Sequence, residues 1–425
     1  MIGRTETGRP PYLSAPWRMG ADSGRAGLVQ KTRDRVVSER PAPRARRGGG
    51  VEVLLMAFLR THRTHSPIGV DVGDRTIRAV QFRRRGQRTE LHAARSRQMP
   101  RSEDGSQDGA AGALETLRSV IGDGPFVGAE IVSAVPSRDV DIRPLRLPAG
   151  VSRENDEEFE EALLLSARSS LLYNIEEAVV DYLPLGAERE ESEERLAVLL
   201  VAAKKRDVNR LLALFKGAGL RCLHLDARPC ASARVLCEDG GAFAMIELGP
   251  TCATFSVARE SDLLFSRTVS LGTDGIIEEL VRTLSINRQE AEQMLTTYGI
   301  SYARPSRCDL RKAEETGLVD ADLFPRLNFD VAKPVLDRIV AEAKRSINYF
   351  SRQRRGGSVE KAFLWGDLMP ANVDGCLAQA LSIPVVIADP FARVCGEILS
   401  GFNGDSSGRS AFCVASGLAL RAWTS

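Results

Sequence analysis

The sequence contains no long apolar run, few histidines and no closely paired cysteines. Its apolar stretch at residues 51–59 includes an acidic residue and is much shorter than the ~18 residues that span a bilayer. The eight cysteines form no Cys-x-x-Cys pair, and only four histidines accompany them, which argues against a zinc site. Several cysteines lie in apolar runs, as is typical of small core residues in a reducing compartment.

Two common nucleotide-binding motifs are also missing. The sequence has no Walker A motif and no Gly-x-Gly-x-x-Gly after a strand, so the main sequence evidence for a P-loop domain or a Rossmann domain is missing. Hydrophobic residues make up 43% and charged residues 27% of the 425 positions, which is ordinary for a soluble protein with a large core. This length predicts one to three domains.

The charge is unevenly distributed along the chain. Residues 1–66 carry 13 Lys/Arg and 5 Asp/Glu, whereas the other 359 residues carry 45 and 51. The acidic body argues against nucleic acid as the main partner. The Arg-, Pro- and Gly-rich start predicts a disordered basic tail over 1–66. Two alternatives are that this segment binds anionic lipid or nucleic acid, and that translation begins at Met56.

The most informative stretch is residues 68–82. Apolar residues alternate on both sides of an Asp/Gly turn, which predicts two strands joined by a tight bend. Asp71 ends the first strand, and Gly73 lies at the bend. Such a hairpin can offer backbone N–H groups to a phosphate while its carboxylate faces hydrated Mg²⁺. An ordinary edge hairpin with one exposed aspartate has the same composition.

A second stretch repeats this pattern. Glu247 and Gly249 each lie 176 positions after Asp71 and Gly73, and an alternating run follows them as well. Two matching hairpins predict a duplicated fold whose turns face each other across a cleft.

Between and after the hairpins, strands and helices alternate. Strands are predicted at 130–135, 140–147, 179–185, 195–203, 220–225, 263–271, 361–365 and 384–388. Helices are predicted near 114–121, over 154–172, 208–215, 276–284 and 332–355, and near 411–422. Two further helices are predicted, one that begins at the capping box formed by Asn287 and Glu290 and one that ends at residue 381. Polar loops are predicted at 101–112 and 188–194. The mixture in two comparable halves predicts an α/β fold.

In order and spacing these segments resemble the actin-like ATPase superfamily, and most of all the type IV pilus assembly protein PilM, a relative of the division protein FtsA. The matching segments are 68–73, 132–136, 145–148, 178–182, 245–257, 271–272, 290–292, 383–385, 389–391 and 415–421. The resemblance implies a duplicated actin-like (ribonuclease H-like) two-lobed fold with a small inserted α/β subdomain. The implied units are a first lobe over 67–138, an inserted subdomain over 139–228 that returns to the first lobe, and a second lobe over 229–425.

The resemblance also implies a site for ATP and Mg²⁺. The residues implied at the phosphates and the metal are Asp71, Gly73, Asp74, Glu247, Gly249 and Thr251, with Asp71 and Glu247 at the metal. Gly272 would lie near the nucleotide, Glu292 near the ribose and Gly366 under the adenine.

Four positions depart from the family pattern. Asp74 replaces a Ser or Thr and places an anion beside the γ-phosphate. Thr273 and Asp367 each replace the second glycine of a pair, where backbone and ligand should approach closely. Leu295 stands where a lysine is usual. Together these changes predict a cleft whose ATP binding is weak or lost, and an active Mg-ATP-binding ATPase is the alternative.

The resemblance implies a cytoplasmic scaffold of a type IV pilus or type II secretion-like assembly. Its partner would be the cytoplasmic tail of a single-span, PilN-like inner-membrane protein, so that its own membrane contact is indirect. A motor ATPase is a further implied partner. The tail would lie beside strand 140–147 and helix 154–172. An FtsA-like cell-division or filament-forming protein is the other alternative.

Overall fold

A computed structural model describes residues 64–100, 108–152, 156–190, 193–237, 240–301, 323–353, 357–394 and 406–421. Almost all of the predicted basic tail, and most of the loop predicted at 101–112, lie outside these ranges. Within them, no helix combines the length and the apolar character that crossing a bilayer requires.

The described ranges form thirteen strands and ten helices. The strands are β1 (Ile68–Val72), β2 (Thr76–Arg85), β3 (Arg88–Gln98), β4 (Glu130–Val135), β5 (Val140–Arg146), β6 (Ala178–Glu190), β7 (Glu193–Lys204), β8 (Arg221–Ala227), β9 (Ala242–Leu248), β10 (Ala253–Arg259), β11 (Asp262–Val269), β12 (Val359–Gly366) and β13 (Val385–Ile387). The helices are α1 (Asp108–Gly122), α2 (Asp156–Ser170), α3 (Lys205–Gly217), α4 (Arg228–Leu236), α5 (Thr273–Leu284), α6 (Arg288–Thr297), α7 (Leu323–Gln353), α8 (Val373–Leu381), α9 (Ser406–Ser410) and α10 (Cys413–Arg421).

Two five-stranded sheets have the same design. The first has the order β3-β2-β1-β4-β8 and the second the order β11-β10-β9-β12-β13. In each sheet, three strands form an antiparallel meander and two further strands add in parallel to the first strand of that meander. The duplication predicted from the two hairpins is therefore confirmed.

The two hairpin turns match in detail. Each has four residues between its paired strands, because Val72 pairs with Ile77 and Leu248 pairs with Ala253. In each turn the N–H of the first residue, a glycine, donates to the carbonyl of the fourth, at 3.0 Å in the first and 2.9 Å in the second. The same local sequence pattern therefore builds the same turn twice.

Helix α7 begins nine residues before the predicted 332–355. Proline inside a helix removes one backbone hydrogen bond, whereas proline in the first turn removes none. Pro334 lies in the first turn of the predicted helix but well inside the observed one. Phe329 lies one turn before that proline and Leu336 follows it, and both are buried in the core of the second lobe. Burial of these apolar side chains offsets the missing bond.

The inserted subdomain is a three-stranded sheet of order β5-β7-β6 with apolar residues on both faces. On one face, Phe159 and Leu163 of α2 pack against Leu200. On the other face, Leu199 packs against Phe243 of the second sheet. The sheet is therefore held between its own helix and the second lobe.

The prediction of a loop over 188–194 was wrong for the residues described. Strands β6 and β7 continue to Glu190 and Glu193, which pair with each other. Backbone pairing determines a strand more than side-chain composition does, so an acidic composition did not mark a loop here.

Helix α10 returns to the first sheet, although it follows the second lobe in sequence. Its Ala415 and Ala419 pack with Phe82 of β2. A Cβ added to Gly417 would lie 1.9 Å from the carbonyl oxygen of Ala231, so α10 and α4 touch backbone to backbone. Helix α10 thus joins α4 to the first sheet.

A buried charge cluster joins α10 and α4 to β8 of the first sheet. Asp226 accepts bonds from Arg234 at 2.9 Å and from Arg421 at 2.7 Å. Burial acts to raise the pKa of Asp226, but Arg421 and Arg234 outweigh it and hold that pKa below its usual value. Nearby, burial raises the pKa of Asp181 to about 7, against the opposing effects of the Tyr182 N–H and Arg421.

This raised pKa predicts a specific pH dependence. The folded protein binds the Asp181 proton more tightly than the unfolded chain, so its contribution to stability is largest below about pH 4 and is lost as pH rises to about 7. We expect Asp181→Asn to lessen the fall in unfolding free energy between pH 5 and pH 8 by on the order of 2 kcal/mol. Urea titrations at the two pH values test this, with the exposed Asp330→Asn as the control. An unchanged fall would contradict it.

Candidate functional site

The two hairpin turns face each other across the cleft between the lobes. The Thr251 hydroxyl of the second turn donates to the Asp74 carboxylate of the first. Arg138, which follows β4, also pairs with Asp74 at 2.9 Å. The structure thus brings the turns together as predicted, and the anion of Asp74 is already balanced by a protein cation.

The two carboxylates implied at the metal are bridged by an arginine. Asp71 lies at the end of β1, Glu247 lies on β9, and Arg228 is the first residue of α4. The Arg228 guanidinium donates to Asp71, and its Nε lies 3.1 Å from an oxygen of Glu247. Asp71 and Glu247 are buried, with side-chain exposed fractions of 1% and 9%, and the Arg228 side chain is largely buried, with 12% exposed.

This bridge determines the electrostatics at the base of the cleft. Burial acts to lower the pKa of Arg228, but the two carboxylates outweigh it and raise that pKa, so the guanidinium stays charged. Mg²⁺ sites in proteins use carboxylates and water in a near-octahedral shell. Here a fixed cation bonds both carboxylates and neutralises part of the charge that would attract the metal. In this arrangement the implied residues do not fit a Mg²⁺ site.

Further ion pairs cross the cleft toward its mouth. Arg75, in the first turn, pairs with Asp274 at the start of α5 and with Glu292 of α6 at 3.2 Å. Arg288 also reaches Glu292, at 3.0 Å. The residue implied near the ribose is therefore part of a salt-bridge network that joins the lobes.

The other departures from the family pattern also have partners within the protein. Asp367 pairs with Arg78 of β2, a second cross-lobe ion pair. The Thr273 hydroxyl lies 3.4 Å from the backbone carbonyl of Asp367. Leu295 is fully buried in the core of the second lobe. Asp367 and Thr273 therefore make contacts at the cleft, whereas Leu295 packs inside the second lobe.

Two of the implied nucleotide residues lie where backbones meet. A Cβ added to Gly272 would lie 2.1 Å from the carbonyl oxygen of Pro250, in the second turn. A Cβ added to Gly366 would lie 1.9 Å from the carbonyl oxygen of Leu248. Both positions need glycine for packing alone, so their identity does not require a nucleotide.

The space inside the cleft is divided in two. Beside Gly73, Gly249 and Arg228 lies a cavity of about 40 Å³, which holds a few water molecules at most. Toward the mouth, a cavity of about 830 Å³ is bordered by Arg75 and Glu292. Only the outer space has the volume of a ligand pocket, typically about 300–1,000 Å³. Contact of the implied residues with a nucleotide stays a prediction.

Five arginines of the site were missed from the sequence: Arg75, Arg78, Arg138, Arg228 and Arg288. Three of them had a signal. Arg75 and Arg78 lie in or just after the first turn, and Arg228 directly follows a strand that ends at the same edge of the sheet as β1. Cations at that edge, next to a hairpin with a buried acid, are candidates for pairing with it.

The model of the type IV pilus assembly protein PilM family matches residues 69–304, more than half of the chain. The chain belongs to the PilM family. A solved PilM-PilN type IV pilus biogenesis complex is similar to it, with 23% identity and a TM-score of 0.66 over 84% of this chain and 98% of that one. The predicted PilM resemblance and the actin-like two-lobed α/β fold are both confirmed.

Two other solved structures are more distant from this PilM family member. The ethanolamine utilization protein EutJ of Carboxydothermus hydrogenoformans is 14% identical, with a TM-score of 0.46 over 84% of this chain and 89% of that one. MreB5 of Spiroplasma citri, solved bound to AMPPNP, is 12% identical, with a TM-score of 0.43 over 84% and 95%.

Proposed function

We propose that the protein is a cytoplasmic scaffold of a type IV pilus or related secretion assembly, and that it binds a membrane partner without using Mg-ATP. Its partner is the cytoplasmic tail of a single-span, PilN-like inner-membrane protein, through which it is held at the membrane. A motor ATPase is a second partner. Membership of the PilM family and the likeness to a PilM-PilN complex support the choice of partner.

The observation that carries the nucleotide-independent part is Arg228. A protein that binds and releases Mg²⁺ with each nucleotide needs carboxylates that are free to meet the metal. Here Asp71 and Glu247 already share a buried cation that the chain supplies permanently. The ion pairs across the closed cleft then hold the two lobes in one arrangement, and the charged side chains in the cleft are paired without a ligand.

The inserted subdomain offers an apolar surface for the tail. Leu165 on α2 is 64% exposed, and Leu172 just after that helix is 88% exposed. Exposed leucines close together in the chain are typical of surfaces that bind another protein. Both fall within the segment 154–172 that was predicted, from the resemblance, to lie beside the tail, Leu165 on the observed helix and Leu172 just after it.

We expect a labelled peptide of a PilN-like cytoplasmic tail to bind the full chain in a fluorescence anisotropy titration. Leu165→Glu/Leu172→Glu should weaken binding at least about tenfold, because each buried leucine contributes about 1.5–3 kcal/mol. Mg-ATP should change the affinity less than about twofold.

The control is Val127→Glu, which alters an exposed apolar residue on the first lobe, 51% exposed, and should leave binding unchanged. A tail affinity that rises or falls tenfold with Mg-ATP would favour the nucleotide-dependent ATPase instead. Equal weakening by the Val127 and leucine variants would place the tail elsewhere.

A further inference from the structure

The hairpin of β2 and β3 ends in a concentrated group of arginines. Four of the six residues 83–88 are Arg, and the other two are Gly86 and Gln87. All six are exposed, whereas the part of β2 before them is buried. Gly86 has a φ of +65°, which a two-residue hairpin turn requires of its first residue, so the chain reverses among the arginines. We call residues 83–90 the hairpin tip.

The hairpin tip carries a net positive charge. Arg83 donates to Glu90 across the hairpin at 2.8 Å, and Glu90 is the one acidic residue in the sequence of the tip. Four arginines against one glutamate give a net charge of +3. Residues 67–425 as a whole carry 45 Lys/Arg and 51 Asp/Glu, so the tip is a positive feature on an acidic body.

Two of these arginines oppose each other. Arg85 pairs in register with Arg88 on the two sides of the turn. Like charges directly opposite each other on adjacent strands are destabilising, whereas opposite charges are stabilising. The next pair on the same face, Arg83 with Glu90, has the stabilising combination. The positions of Arg85 and Arg88 therefore do not serve the stability of the hairpin, and an external anion would relieve their repulsion.

The hairpin tip lies far from the cleft. Arg97 and Gln98, near the other end of β3, border the outer cavity of the cleft. Gln98 is ten positions after Arg88, which is roughly 34 Å along an extended strand. A ligand in the cleft is therefore not what the arginines of the tip contact.

An anionic membrane surface is the partner that fits this tip. Residues 83–90 include no aromatic and no large aliphatic residue. They therefore lack the apolar centre of a protein interface and the rings on which the bases of nucleic acids stack. A lipid surface requires neither, because each Lys or Arg close to an anionic leaflet strengthens binding roughly fivefold through charge alone.

The acidic body does not cancel this attraction. At physiological salt the Debye length is about 8 Å, so exposed charges that are farther apart are largely screened from each other. Arg85 lies five positions beyond Val80, the last residue of β2 that pairs with β1, and this is roughly 17 Å along the strand. The tip can therefore approach a surface to within a Debye length while the sheet behind it stays farther away.

We propose that the hairpin tip binds the anionic phospholipid headgroups of the membrane directly. The contact is weak on its own, because three net charges favour an anionic over a neutral surface roughly 100-fold. Together with a bound partner tail it gives the molecule two attachment points, which strengthen each other and orient it on the membrane. The inference goes beyond the proposed function, which holds the protein at the membrane only through its partner.

The test is flotation of the full chain with phosphatidylcholine vesicles that contain about 30% phosphatidylglycerol. The protein should float with these vesicles at about 50 mM salt but not at about 500 mM, where charges are screened within a few ångströms. Arg84→Ser/Arg85→Ser/Arg88→Ser should weaken binding at least about tenfold. Arg84→Lys/Arg85→Lys/Arg88→Lys keeps the charge and should bind as the wild type does.

The matched control removes three exposed arginines elsewhere. It is Arg206→Ser/Arg210→Ser/Arg282→Ser, whose arginine side chains are 77%, 68% and 74% exposed. This variant has the same net charge as the serine variant of the tip and should bind the vesicles within about twofold of the wild type. The basic residues 1–66 are identical in all these proteins, so a difference between the two serine variants reports the tip.

Equal vesicle binding by the wild type and the serine variant of the tip would overturn the proposal, as would equal weakening by the control. If that variant kept vesicle binding but lost binding to a single-stranded RNA, the tip would be a nucleic acid contact instead. Weak binding by the lysine variant would exclude recognition by charge alone.

The vesicles contain no partner protein, so this test is independent of the tail titration. Absence of vesicle binding with intact tail binding would reject only this inference, and the reverse result would reject only the proposed partner. Urea denaturation should show no loss of stability in the serine variant of the tip, because the like-charge pair of Arg85 and Arg88 is removed.

Discussion

Replacing Arg228 with alanine should lower the unfolding free energy by about 3–5 kcal/mol, the usual cost of leaving a buried carboxylate without its partner. The variant leaves two such groups, Asp71 and Glu247, facing each other with no cation between them. The second oxygen of each already lacks a hydrogen-bond partner among the described residues. Urea denaturation followed by circular dichroism measures the loss.

The matched control is Arg282→Ala, because the Arg282 side chain is 74% exposed and pairs with Glu279 on the surface. That variant should lower the unfolding free energy by less than about 1 kcal/mol. Removing the carboxylates as well, as Arg228→Met/Asp71→Asn/Glu247→Gln, should restore most of the stability, because no charge is then left buried. A small loss in the single variant, or no recovery in the triple variant, would mean that Arg228 does not hold the cleft.

Gly417→Ala should destabilise the protein by about 3 kcal/mol or more, although alanine is the better helix former. The new methyl group would lie 1.9 Å from the carbonyl oxygen of Ala231, a contact that requires α10 to move away from α4. Movement of α10 would also loosen its contact with the first sheet. Thermal and urea unfolding both measure the effect.

Gly375→Ala is the companion variant. Gly375 also lies inside a helix, α8, but a Cβ there would meet nothing within 4 Å. Helix propensity alone then predicts a gain of about 0.5–1 kcal/mol. Opposite signs of the change in stability for the two variants would establish that backbone contact requires glycine at position 417. A gain in stability in both variants would refute this explanation.

The parts of the fold that were predictable depend on local patterns. The two hairpins are marked by an acid, a glycine and alternating apolar residues, all within a few positions. The capping box at Asn287 and Glu290 is likewise local, and the structure contains both of its hydrogen bonds. Strand β3, by contrast, was not predicted, because only two of its eleven residues are buried and its polar sequence hides the alternation.

The central feature of the site depends on distant contacts. Arg228 is 157 positions from Asp71 and 19 from Glu247, and no local pattern records that the three meet. The cross-lobe pairs of Arg75 and Arg78 have the same origin. The sequence predicted changes at the residues that the resemblance implies for nucleotide binding, and the structure shows the ion pairs that several of these positions make within the protein.

The return of α10 to the first sheet has a consequence during synthesis. Strands β1 and β2 leave the ribosome more than 300 residues before the helix that packs against them. At about 5–20 residues per second, that interval lasts roughly 20 to 70 s. For that time the nascent first sheet exposes an apolar face, so chaperone binding to the unfinished chain should cease only when translation ends.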